Sequence, residues 1–385
     1  MAEGKSTPKN KKNIISKLMI AVVFILLFSI AVVLNNMWDK ASPDNLPNTI
    51  IQTSTAKEEF SEKLSGTSVQ EKNIVNTGKG IYYISDTSIL SLDYNGNKNF
   101  SGQHSYTSPF IKCSGDYAIA YGVGSDKYRV ISPSYNVYNG TQGTSIIDCD
   151  INSKGTYCVM SDHTGYLSVI SVLDKDNEFI FSYSFNNYYG ISCTINESGT
   201  MAAVGAVNTV DGALMSKVYI LDFSSSEPIA VFDYKDNMIY EVDFIDNNKI
   251  AVVTDSLVSV VDSTNNKETP YSFDGKFLAS YDIEYENSIT VALAQSDDGR
   301  NCSIVTLDSN GREINKFSTV HKVFSIDTKK DKIALLADNT LYSYNTLGDA
   351  LNNWQVGHDA KSVIMINEKT AYILGVSEIR KIILE

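Results

Sequence analysis

The chain has 385 residues, 43% of them hydrophobic and 20% charged, and its 45 acidic against 32 basic side chains give a formal charge of −13. Residues 1–40 are themselves basic, so the remaining 345 residues carry −17, a balance that argues against nucleic acid or an anionic lipid surface as a partner. Five cysteines in this length are too few and too scattered for a disulfide scaffold or a zinc cluster.

Lys5, Lys9, Lys11, Lys12 and Lys17 precede the apolar run LMIAVVFILLFSIAVVL, Leu18 to Leu34. With Ile14 and Ile15 the run reaches about 20 residues, enough for one membrane span. Lysines on its N-terminal side place residues 1–17 in the cytoplasm and the bulk of the chain outside, and Trp38 suits the membrane–water interface. Residues 18–38 are therefore expected to be an uncleaved signal-anchor helix in a single-pass cell-membrane protein. A cleaved signal peptide is the alternative, and NNMWDKASP after the run offers it no small-x-small cutting point. Residues 39–67 read as a linker, with Pro43 and Pro47, a strand-like NTIIQT at 48–53, and a helix-compatible stretch near Ala56–Leu64.

From about residue 69 onward, short runs of Val, Ile, Tyr and Thr alternate with Asn-Gly, Asp-Gly and Ser-Gly turns, without a helical apolar stripe. CDINSKGTYCVM, from Cys149, returns as CTINESGTMAAV, from Cys193. The same apolar strand opens at Ile81, Tyr117, Tyr157, Met201, Ile250, Ile289, Ile333 and Ala371, at intervals averaging about 41 residues. Four antiparallel strands in that length make a β-propeller blade. The expected fold is all-β: an eight-bladed propeller over residues 68–385, or seven blades if the weak unit 108–142 is irregular. The last unit stops after its third strand, so closure requires a strand from the N-terminal side, and 48–53 fits.

The third-strand hairpins ILSLDYNGNKNF (89–100) and IVTLDSNGREINKF (304–317) resemble WD40-like and quinoprotein-like propeller repeats, in which a hydrophobic-Leu-Asp turn closes the strand. The Gly-His and Trp-Asp signatures of true WD40 repeats are absent, since the one Trp-Asp is Trp38-Asp39. With Trp354 the only other tryptophan, the docking motif of quinoprotein repeats is missing too. In layout, an acidic propeller behind one N-terminal anchor, the chain is similar to an uncharacterised group of clostridial membrane proteins.

In a propeller, the fourth-to-first and second-to-third strand connections share one face. His104, His321 and His358 fall on fourth-to-first connections and His163 on a second-to-third turn, so all four histidines map to that face. Asp86, Asp162, Asp255 and Asp338 lie on second-to-third turns, and Tyr106, Tyr188, Tyr189 and Tyr240 on the same set of connections. Converging carboxylates and imidazoles would make a ligand site at the channel mouth, whereas Asp once per repeat is what hairpin turns need. Tyrosines are good contacts for peptides and sugars. Cys149 and Cys158 flank a turn symmetrically and read either as a disulfide or as reduced core thiols, the small residues at equivalent positions favouring the latter.

No Gly-x-Ser-x-Gly elbow, HExxH or phosphate-binding glycine loop occurs, so no catalytic residue, cofactor site or metal ligand is assigned. The expected function is a binding or scaffolding module for a protein, peptide or cell-envelope glycan. The alternative is an envelope hydrolase or lyase using the Asp/His face.

Overall fold

The computed structural model describes residues 54–55, 58–66, 68–284 and 288–384, and the tail 1–17, the apolar segment 18–38 and the stretch 48–53 lie outside them. Among the described residues all regular structure is β, arranged as eight sheets. Blades 1 to 7 span residues 74–103, 109–141, 146–185, 189–235, 239–272, 277–319 and 323–355, and each is four consecutive antiparallel strands, to which the sheet of blade 7 adds the short strand Ser54–Thr55, parallel to Ala350–Gln355. Blade 8 takes three strands from 360–383 and its fourth from Glu58–Lys63. The fold is an eight-bladed propeller. The unit 109–141, whose regularity was in question, is a full four-stranded blade.

Except between blades 5 and 6, first strands of successive blades pack against one another, and that of blade 8 packs against that of blade 1, so first strands surround a channel and fourth strands lie outermost. Second strands such as Ser288–Ala294 are buried at every position. They lie between two neighbouring blades, so both faces of the sheet must be apolar, and β-branched residues suit that setting. Fourth strands such as Lys98–Gln103 are mostly exposed and read as polar.

The core is correspondingly divided. Eight buried apolar clusters occur, one at each junction between neighbouring blades. The recurrent Leu-Asp of the third strand has a local cause. Asp93 Oδ1 accepts the N–H groups of Asn95 and Asn97 at 2.8 Å, and Asp308 Oδ1 those of Asn310 and Arg312 at 2.8 and 2.9 Å. The aspartate closes the turn into the fourth strand.

Ring closure differs in detail from the sequence expectation. The closing strand is Glu58–Lys63, antiparallel to Glu378–Ile383, with Ser61 opposite Arg380. This stretch is helix-compatible by composition, but the unpaired edge of blade 8 offers it a complete ladder of backbone partners. Phe60 meets Tyr372 edge-on at a centroid distance of 6.2 Å and joins the cluster between blades 8 and 1.

The cysteine pair also differs. Cys149 lies opposite Val159 and Cys158 opposite Asp150, so the two thiols project from opposite faces of blade 3. The turn is centred one half-residue later than symmetry about Ser153-Lys154 implies. Its three residues end in Gly155 at φ 84°, a left-handed conformation that glycine adopts freely. All five cysteines are free thiols.

Candidate functional site

The first strands carry a second repeat that the turn motifs conceal. Five consecutive blades hold polar residues two apart: Asp148 and Asp150, Ser192 and Thr194, Glu241 and Asp243, Ser280 and Asp282, Ser325 and Asp327. A bulge just before the first of each pair recurs in all five strands. Most of these side chains reach the first strand of the next blade. In the first row, Asp148 Oδ2 accepts the Cys193 N–H at 2.8 Å, and Ser192, Ser280 and Ser325 accept those of Val242, Ile326 and Val363 at 3.2 Å. In the second row, Asp150, Asp282 and Asp327 accept from Ile195, Thr328 and Met365 at 2.9, 2.8 and 2.6 Å. Innermost strands have a free edge toward the channel, and these staples satisfy part of it.

The channel holds a cavity of about 490 Å³, lined by eight carboxyl side chains and three lysines. Burial pushes Asp150 up to about 6. Burial, with Asp150 and Glu241 nearby, raises Asp243 to about 7. Burial raises Asp282 to about 7 and lifts Asp327 well above the carboxylate range, where Asp282 adds to the effect. Glu241 goes the other way. Burial alone would raise it, but Lys72, Lys112 and hydrogen bonds from Lys72 and Tyr281 hold it at about 2.

Lys72 belongs to the segment entering blade 1, yet its ammonium pairs with Glu241 of blade 5. It also donates to Tyr281 Oη at 2.7 Å and lies 4.3 Å from the centre of that ring. Blades 1 and 5 are opposite in an eight-membered ring, so this lysine bridges the channel. Tyr281 stands inside the first strand of blade 6 and faces the channel.

The strand order puts the candidate residues on connections or adjoining strand ends of one face, called the upper face below, with Asp162 and His163 ending a second strand and Tyr189 and Tyr240 opening first strands. It does not gather the histidines at one point. His104 has its Nε2 2.9 Å from the Ser85 carbonyl, and its Nδ1 accepts the Tyr106 N–H at 3.1 Å while the rings stack at 4.6 Å. Both ring nitrogens are thus engaged by backbone, and burial lowers its pKa. His163 is exposed beside Tyr166, 5.4 Å between centroids, with Nδ1 2.8 Å from the Thr164 carbonyl. His321 Nδ1 lies 3.6 Å from Asp338, and its ring stacks on Tyr342 at 4.4 Å. His358 is exposed between blades 7 and 8.

The aspartates divide by partner. Asp162 accepts the Tyr189 hydroxyl at 2.8 Å, and Asp255 accepts the Met238 N–H at 3.1 Å. Both tie a second-to-third turn to a neighbouring connection instead of closing their own. Asp338 stands at φ 52°, which aspartate tolerates in a tight turn. Asp86 is half-buried near His104. Tyr188 meets Tyr219 at 6.2 Å with the Lys217 ammonium 5.2 Å over its ring. Among the described residues no group of three His, Cys, Asp or Glu side chains is placed to hold a metal ion.

What the upper face presents is aromatic. Tyr189, Tyr240 and Phe277, at the starts of the first strands of blades 4, 5 and 6, are 37%, 53% and 50% exposed. Tyr166 and Leu167 extend the arc onto blade 3. Blade 4 adds an arm, since its second and third strands, Met201–Val210 and Ala213–Asp222, are ten residues each against eight or fewer in every other described strand. Asp211 and Gly212 turn the arm with φ 52° and 80°, the pair of positive angles a two-residue hairpin loop requires, and Val210 is exposed at the tip.

The polar pairs were legible as a spacing just ahead of each apolar strand. The Lys72 bridge was not, because it joins opposite sides of the ring.

A family model described as a family of unknown function (DUF5711) matches residues 52–384. No curated protein matches the sequence. Among solved structures, BamB from Moraxella catarrhalis superposes with a TM-score of 0.55 at 11% identity, over 85% of this chain and all of that one. The C-terminal WD40 domain of Sif2 gives 0.58 at 10%, and the WD40 repeats of RRP9 give 0.51 at 11%, each over 86% of this chain and 99% of the other. At such identities the likeness is one of fold.

Proposed function

This chain belongs to DUF5711, a family of unknown function, and we propose that its propeller is a binding module docking a protein or peptide on the upper face, held outside a membrane by residues 18–38. The observation that carries this reading is the arc of Tyr189, Tyr240 and Phe277 on three successive blades, beside the protruding arm of blade 4. Large aromatics left half in water are the anchors that protein interfaces bury. Propellers commonly serve as interaction or scaffold modules, and the WD40 domains of similar fold agree with that class.

The channel supports the same reading from the other side. Its near-neutral carboxyls are the groups a hydrolase or lyase would use, yet Asp150, Asp282 and Asp327 already accept backbone N–H groups from the next blade. A carboxylate so engaged holds the ring together. The anchor reading rests on the lysines before an apolar run of 17 residues.

One experiment tests face and location together. Tyr240→Cys and Ile314→Cys, the latter on the outer strand of blade 6, are labelled in intact cells with an impermeant maleimide, then treated with an impermeant bifunctional crosslinker. Both positions should label, and only Tyr240→Cys should yield a higher-mass adduct. Adducts at Ile314→Cys alone would remove the upper-face reading, and absence of labelling at both would remove the outside location.

A further inference from the structure

Two of the five thiols are neighbours across a blade junction. Cys158 lies in the second strand of blade 3, Tyr157–His163, and Cys193 in the first strand of blade 4, Tyr189–Ile195. Their sulfurs are 3.6 Å apart, in van der Waals contact, and neither residue has any exposed surface. The wall around them is apolar, with Met160, Ile170, Val172, Ala202 and Val204 in the same cluster. The other cysteines are elsewhere. Cys149 points to the opposite face of blade 3, into the junction with blade 2. Cys113 and Cys302 rest against the carbonyls of Asn76 and Gly299.

The backbone at both positions is held. Cys158 is paired with Asp150 on one side and Val172 on the other, and Cys193 with Val204. The Cys193 N–H is fixed to Asp148. Bonding distance between sulfurs is about 2.05 Å, so closure needs roughly 1.5 Å of sulfur movement.

We propose that Cys158 and Cys193 form a disulfide that links blade 3 to blade 4 when the chain folds under oxidising conditions. The oxidant is an external disulfide, such as oxidised glutathione or a protein disulfide donor. One cysteine thiolate attacks a sulfur of that disulfide and expels a thiolate, giving a mixed disulfide. The second cysteine thiolate then attacks the protein sulfur of the mixed disulfide and releases the other half of the oxidant. The two thiols lose two protons and two electrons, and the oxidant leaves as two reduced thiols. Timing follows from burial. In the finished propeller no oxidant reaches either sulfur, so the bond forms while blades 3 and 4 are coming together, and it is then inaccessible to reductants. Its occurrence in the cell rests on the outside location proposed above, but the chemistry does not.

The test uses the full chain in detergent, unfolded and refolded with oxidised and reduced glutathione, then denatured with an alkylating agent and no reductant. Peptide mapping should show one linked species joining the Cys158 and Cys193 peptides, two hydrogens lighter than their sum, with Cys113, Cys149 and Cys302 alkylated. The oxidised form should also melt above the reduced one. Cys158→Ala, isosteric with the alanine at Ala118, Ala251 and Ala334 in other blades, should fold and abolish both effects. Five alkylated cysteines after oxidative refolding, or a link to any other cysteine, would overturn the proposal. A link on refolding with fully reduced protein from native membranes would leave the pair in place and remove the outside location.

Discussion

At the scale of single residues, the channel aspartates act as acceptors for a neighbour's backbone. Asp327 accepts the Met365 N–H at 2.6 Å in the channel wall, where burial and the neighbouring Asp282 hold its pKa well above the carboxylate range. Removing the acceptor leaves that donor without a partner, and an unsatisfied buried group costs about 1–3 kcal/mol. Asp327→Ala should therefore lower unfolding free energy by about that much in urea titration, while Asp327→Asn, which keeps a carbonyl in place, should be close to neutral. Equal losses for both would mean the carboxylate charge, not the acceptor, matters. Pairs such as Ser325 and Asp327 are visible in the sequence, but their partners are 38 residues further on, and nothing local shows them.

At the scale of elements, the propeller depends on Glu58–Lys63 completing blade 8. The strand is short and polar, and Phe60 is its main apolar contact, against Tyr372 and the cluster between blades 8 and 1. Phe60→Ala should destabilise by about 1–3 kcal/mol, less than a fully buried phenylalanine because this ring is only partly covered. Glu62→Pro should be worse, since the alternation set by the Leu64 N–H on the Ser377 carbonyl makes Glu62, opposite Ile379, a ladder donor, and losing it loosens the strand that covers the blade 8 edge. Thermal melts with light scattering would check this, with aggregation at lower temperature expected for Glu62→Pro. A proline variant melting like the parent would mean that closure does not depend on this ladder. The position of this strand was not legible locally. The composition EEFSEK suits a helix, and only a missing fourth strand elsewhere in the ring makes it β.

At the scale of the whole molecule, the ring concentrates charge. Four carboxyls of blades 3, 5, 6 and 7 have pKa values raised by burial, to between about 6 and about 7 where a value is defined. In the unfolded chain they titrate near 4. Between those limits the native state binds more protons than the unfolded one, so stability is greatest at low pH and is lost as pH rises from about 4 to about 7. Glu241, held at about 2, works oppositely, and its contribution disappears only as pH falls below about 4. Unfolding temperature should therefore drop between pH 5 and pH 8, by an amount on the order of a few kcal/mol of stability, and Asp243→Asn should flatten the profile. Stability that rises over this interval would show these carboxyls to be ionised and well solvated.

The sequence by itself determined the repeat, the blade count and the turn chemistry. These depend on periodicity and on residues within a few positions of one another: apolar second strands sandwiched on both faces, Asp and Asn at hairpins, an average period of about 41 residues. Strand starts read from that pattern fall within one residue of those observed. It also placed the histidines and tyrosines on one face, because connection order alone decides that. Only the tertiary structure decided which of those residues meet. His104 is occupied by backbone, Asp162 by Tyr189, and the histidines stay distributed around the ring, because a propeller spaces equivalent positions by one blade each. The groups that do converge lie on or beside first strands: the closed ring brings Lys72, just ahead of blade 1, to Glu241 across 169 residues, and Cys158, on a second strand, to Cys193 on the first strand of the next blade. Contacts of that kind belong to the closed ring, and no local pattern encodes them.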